Sequence, residues 1–84
     1  MTVEASVALV TVLFFGKVAD QLGRQRQVEL PAGSCTIADL RRLLDADILL
    51  QPGVRASIDR QVVDEQAMVR PGAEVAFFSL FSGG

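Results

Sequence analysis

Residues 8–15, ALVTVLFF, constrain this chain more than any other stretch of it. The run is β-branched and aromatic, and Thr11 is its only polar member, so it reads as a strand. A strand that apolar should have both faces covered or sticky, as a central strand does. Yet the whole chain has 84 residues, and a domain of that size hides only about 60% of its unfolded surface. Whatever covers the second face has to be found with few elements.

The rest of the chain supplies one substantial helix. Gly16 ends the first strand, and residues 18–22 make one helical turn before Gly23. Residues 27–30 form a short strand closed by Pro31-Ala32-Gly33. Thr36 then offers an N-cap, with Asp39 three positions on near the positive end of a helix. Ile37, Leu40, Leu43 and Leu44 follow as one apolar stripe, with Arg41, Arg42 and Asp45 assigned to the other side. Pro52-Gly53 turns the chain. Residues 54–58 and 61–63 form a tight hairpin about Asp59-Arg60. Arg70-Pro71-Gly72-Ala73 has the proline and glycine of a type II turn, and residues 74–78 are the last strand. Strand, strand, helix and three short strands pack most economically as an α+β roll, one helix across a mixed sheet. The expectation is one domain over residues 1–84, with 1–6 loose and 80–84 an extended tail.

Strand parity divides the apolar residues in two. Val10, Val12, Phe14, Val75 and Phe77 are assigned to the face under the helix. Leu13, Phe15 and Phe78 are left on the other. Each gains about 1.5–3 kcal/mol on burial, so together they mark a docking surface, unless loops or a second small core cover them.

The composition removes most chemistries. The chain has no His, Trp or Tyr and one Cys, which excludes Ser–His and Cys–His nucleophile pairs and ordinary zinc or iron–sulfur sites. No phosphate-binding glycine loop is present, and no bound cofactor is expected. Eight basic residues against ten acidic ones give a net charge of -2 with no basic cluster, so nucleic acid is not an expected partner. The apolar run is too short to span a membrane, which takes about 20 residues, and it follows Glu4 rather than a basic segment, so a secretory signal is not expected. The expected location is the cytoplasm. Cys35, just before the proposed N-cap, sits where a helix terminus lowers a thiol pKa, though a small packing residue is the simpler reading. Asp45/Asp47 and Asp64/Glu65 read as solvated surface.

The end of the sequence is left. Two terminal glycines arise by chance at about 0.5%, given average glycine usage of about 7%. Lacking Cβ, they can thread a narrow channel, and residues 80–84 extended reach about 17 Å. A carboxylate on Gly84 could thus be passed between active sites. A frayed end or a cloning remnant would look the same.

These pieces together resemble a known family. Val12-Leu13-Phe14-Phe15 with Val18 and Leu22-Gly23, Thr36-Ile37 leading Leu40, Ile58-Asp59 with Val62, Pro71-Gly72-Ala73-Glu74-Val75-Ala76-Phe77-Phe78 and Gly83-Gly84 are similar to the molybdopterin synthase small subunits. These are a branch of the β-grasp (ubiquitin-like) sulfur carriers, and the similarity runs from about Val10 to Gly84. The resemblance implies a β-grasp fold with first and last strands paired in parallel. It implies an E1-like adenylyltransferase that spends ATP to adenylate Gly84, and a sulfurtransferase whose persulfide converts it to a thiocarboxylate, with Gly83 beside it. It also implies a large catalytic subunit in a heterotetramer, contacted by Phe15, Val62 and Phe78. The carrier itself would bring no catalytic side chain. Where the family commonly has Pro-Pro this chain has Ser79-Leu80, so Leu80 and Phe81 are expected to anchor the tail. Asp59 stands where Asn is usual, and Ala73 where Asp is usual. A carrier for thiamine or cysteine synthesis, a ubiquitin-like modifier and a plain interaction domain are the alternatives.

Overall fold

The computed structural model describes residues 8–79. The chain runs β1 (Leu9–Phe14), α1 (Lys17–Leu22), β2 (Gln25–Glu29), β3 (Cys35–Thr36), α2 (Ile37–Leu44), a 3₁₀ turn (Asp47–Leu50), β4 (Val54–Ile58), β5 (Gln61–Val63), β6 (Met68–Val69) and β7 (Glu74–Ser79). Five strands form one mixed sheet in the order β2-β1-β7-β4-β5, and β3 and β6 make a separate two-stranded ladder. β1 and β7 pair in parallel, from Thr11 opposite Glu74 to Phe14 opposite Phe77. That is the pairing the β-grasp resemblance implied, and the architecture is α+β. Among the described residues no helix is long and apolar enough to cross a membrane.

The inward face is the one parity assigned. Val10, Val12, Phe14, Val75 and Phe77 are all buried, and Ile37, Leu40 and Leu44 of α2 close over them. The Phe14 and Phe77 rings stack with centroids 6.3 Å apart. Thr36 caps α2 as expected, its hydroxyl accepting from the Asp39 amide at 3.1 Å. Both predicted turns form. Asp59 and Arg60 have φ of 48° and 74°, the geometry of a two-residue hairpin turn of type I′. The Asp59 carboxylate accepts from the Glu74 amide at 3.0 Å, so the acid keeps the turn and ties it to β7. Gly72 has φ 85°, and the Ala73 amide reaches the Arg70 carbonyl at 3.1 Å, closing the type II turn.

Four expectations are corrected. Arg41 does not face water; it is 7% exposed. At about 100° per residue, Arg41 lies only about 40° from Ile37, inside the stripe, whereas Leu43 lies about 120° away. Leu43 is accordingly 43% exposed. Glu65 is not plain solvated surface either. Its two oxygens accept from Nε and Nη2 of Arg41, both at 2.8 Å. The same guanidinium donates to the carbonyls of Val54, at 2.8 Å, and Leu49, and lies 5.2 Å from the centre of the Phe77 ring. A planar fork of donors suits this role, and here one cation fastens α2, the 3₁₀ turn, β4 and the β5–β6 loop together. β2 begins at Gln25, two residues before its expected start, and Leu30 lies beyond its end, buried, with its amide on the Ala8 carbonyl at 2.8 Å. Finally, the β3–β6 ladder and the 3₁₀ turn were not foreseen. Elements of two and four residues show no period.

Candidate functional site

The helices lie on one side of the five-stranded sheet and leave the other side open. Side chains on that side follow from register. Leu13 pairs with Ala76, Ala76 with Ser57, and Ser57 with Val62. One row thus runs large, small, small, large across four strands, a trough spanning about 14 Å at the usual strand spacing. Ser57 is buried at its floor, and Val62 at its rim is 59% exposed. Two residues along β7, Phe78 sits at one end of the trough opposite Arg55. Phe15 flanks it, 51% exposed, its amide held by the Phe77 carbonyl at 3.1 Å. Leu13 and Phe78 are half-buried.

Phe15, Val62 and Phe78, named from the sequence, therefore share one face. Phe15 and Phe78 lie where β7 leaves the sheet, and Val62 lies across the trough on β5; the last residue of β7, Ser79, pairs with Val54. Leu80, Phe81, Gly83 and Gly84 lie outside the described residues. An open hollow of about 470 Å³, lined by Leu13, Phe15, Gly16, Asp20 and Arg24 among others, adjoins the aromatic end of the face. The sequence reading overlooked the small floor residues Ala76 and Ser57 and the cation Arg55. The alternation in Val54-Arg55-Ala56-Ser57 carried the signal, since it places Arg55 and Ser57 opposite two buried residues.

The described residues form no cluster of His, Cys, Asp or Glu able to hold a metal. Cys35 is half-buried and unbridged. Its thiol pKa is raised above the ordinary value, first by burial and then by the nearby Asp39 carboxylate. The direction is opposite to the lowering a helix terminus can give and agrees with the simpler reading of a small packing residue. What the geometry offers is an apolar platform at the root of a chain end.

The sequence matches the family model described as the ThiS family over residues 12–84. The chain belongs to the ThiS family. It is a sulfur carrier or ubiquitin-like protein of that family, whose members work with an E1-like activating enzyme and sulfur-using partners. None of the curated proteins matches the sequence. Among solved structures, the chain is similar to a putative molybdopterin converting factor subunit 1 from Pyrococcus furiosus, with TM-score 0.73 and 18% identity over 86% of this chain and 97% of that one. It is similar to SAMP1 from Haloferax volcanii, with TM-score 0.72 and 21% identity over 90% and 99%. A third likeness is the HVO 2177 protein of Haloferax volcanii, with TM-score 0.74 and 18% identity over 100% and 93%. At these identities the likenesses establish the β-grasp fold of this ThiS-family protein.

Proposed function

We propose that this protein is the small subunit of molybdopterin synthase and carries sulfur as a thiocarboxylate on Gly84. The observation that carries the reading is the open apolar face, with Phe15 and Val62 exposed and Leu13 and Phe78 half-buried, whose aromatic end lies where β7 ends. A platform there lets a partner hold the folded body while an extended tail reaches its active site. Five extended residues cover about 17 Å, enough to enter a buried catalytic pocket.

The chemistry is divided among partners. The activating enzyme joins the Gly84 carboxylate to the α-phosphate of ATP and releases pyrophosphate. A sulfurtransferase persulfide attacks the acyl carbon and AMP leaves. A thiol then cleaves the resulting S–S bond, and the thiocarboxylate remains on the carrier. The large subunit would use that sulfur to build the dithiolene of molybdopterin. Binding energy for each step comes from the sheet face, and the tail carries only the reacting group. Gly83 and Gly84 contribute a backbone without side chains, which a narrow channel admits.

Deleting Gly83 and Gly84 tests this. Thermal unfolding should stay within about 0.5 kcal/mol of the full chain, because two glycines have no side chain to bury. Molybdopterin formation with the large subunit, activating enzyme, ATP and a persulfide donor should be abolished. Molybdopterin formed by the truncated chain would rule out the terminal carboxylate as carrier. Lysine-linked conjugates in place of sulfur transfer would point to a protein modifier instead.

A further inference from the structure

The open face is not uniformly apolar, and its charges are sorted along the strands. Arg55 is in register with Phe78 at the end where β7 leaves the sheet. Glu74, opposite Thr11, and Glu29, opposite Leu9, lie toward the other end. At the usual rise per residue, the rows of Arg55 and Glu74 are about 13 Å apart. No other lysine or arginine among the described residues projects from a strand onto this face. The Arg55 guanidinium makes no ion pair, side-chain hydrogen bond or ring contact among the described residues. The two ion pairs found there use Arg41 and Arg42. Arg55 is exposed beside a half-buried aromatic ring, where a partner would strip away part of its water.

Resting on the docking face proposed above, we propose that Arg55 is its specificity-determining residue and selects a partner protein that presents a carboxylate beside an apolar patch. The carboxylate sits at the mouth of the channel that receives the tail. A guanidinium binds a carboxylate through two parallel hydrogen bonds, which fixes orientation as well as position. With acids at the far end of the face, the charge pattern favours one docking direction and disfavours the reverse, in which Glu29 and Glu74 would meet the partner's carboxylate. The favoured direction is the one that aims residues 80–84 into the partner.

The test is calorimetric titration of the full chain with the large synthase subunit from the same host, at low and high ionic strength. Arg55→Glu should weaken binding at least tenfold at low salt and flatten the salt dependence, since the attraction lost is the screened one. Arg55→Lys should recover part of the affinity, because it keeps the charge without the bidentate fork. Arg42→Glu, the same charge change on the helical side of the sheet, should bind like the wild type. Circular dichroism should show all three variants folded, as both positions are exposed. Wild-type affinity in Arg55→Glu would overturn the assignment, and so would an equal loss in Arg42→Glu, which would make the effect one of net charge. If the wild-type chain does not bind the large subunit at all, the proposed function fails, and this assignment with it.

Discussion

Replacing Arg41 with alanine separates a structural cation from a surface one. The Arg41 side chain is 9% exposed, and its guanidinium serves Glu65, two backbone carbonyls and the Phe77 ring. Leaving the carbonyls of Leu49 and Val54 without a donor costs about 1–3 kcal/mol each. Losing the ring contact adds about 0.5–2 kcal/mol. Glu65 is 49% exposed, so water solvates its stranded charge and adds little to the total. Water entering the vacated space recovers part of the cost, leaving about 3–5 kcal/mol. A domain of this size has only about 5–10 kcal/mol in all, and at about 4–8 °C per kcal/mol the melting temperature should fall by at least about 12 °C. Arg42→Ala is the comparison. Its pair with Asp39 joins side chains 71% and 56% exposed, so it should cost no more than about 0.5 kcal/mol. Urea titration followed by circular dichroism gives both values. If Arg41→Ala lies within about 1 kcal/mol of the wild type, the guanidinium is not a fastener and the reasoning from its partners is wrong.

Further outcomes are expected at Phe78, Phe77 and Cys35. Phe78→Arg should leave the domain folded and lower affinity for the large subunit by at least about 2 kcal/mol, as loss of a central aromatic anchor does. Phe77→Arg, which puts a charge at a position with no exposure, should unfold the domain; calorimetry and circular dichroism together check both, and the reverse pattern would mean the face is misassigned. The Cys35 pKa is raised by burial and by Asp39, so the folded state holds the thiol proton more tightly than the unfolded one. Its alkylation by iodoacetamide should therefore be slower in the native protein than in urea at the same pH. Stability should also decline as pH rises past the ordinary thiol pKa, and a Cys35→Ala variant should lack that decline.

Most of the sheet was legible because β-branched and aromatic runs mark β1 and β7, and strand parity then divides their residues between two faces. Val12 and Phe77 were assigned inward because Thr11 marked the opposite face as the less enclosed one. The turns were legible for a different reason: Asp59-Arg60 and Pro71-Gly72 carry local conformational preferences that need no tertiary contact. Arg41 was not legible by residue type. A charged side chain on a short helix reads as solvated, and only its angle beside Ile37, together with acceptors from three distant segments, shows otherwise. β3, β6 and the 3₁₀ turn escaped because each exists through what it pairs with, as Cys35 does with Val69. Arg55 was hidden because an exposed charge reads as plain surface; the alternation of β4 gives its face, but only the pairing of β4 with β7 sets it beside Phe78.

The most direct measurement is the intact mass of the full chain after incubation with its activating enzyme, ATP and a persulfide sulfur donor. The expected result is a gain of one sulfur for one oxygen, mapped by fragmentation to Gly84 and absent when ATP is withheld. A chain that stays unmodified, or one whose added sulfur maps to Cys35 with Gly84 unchanged, would contradict the proposed carrier chemistry.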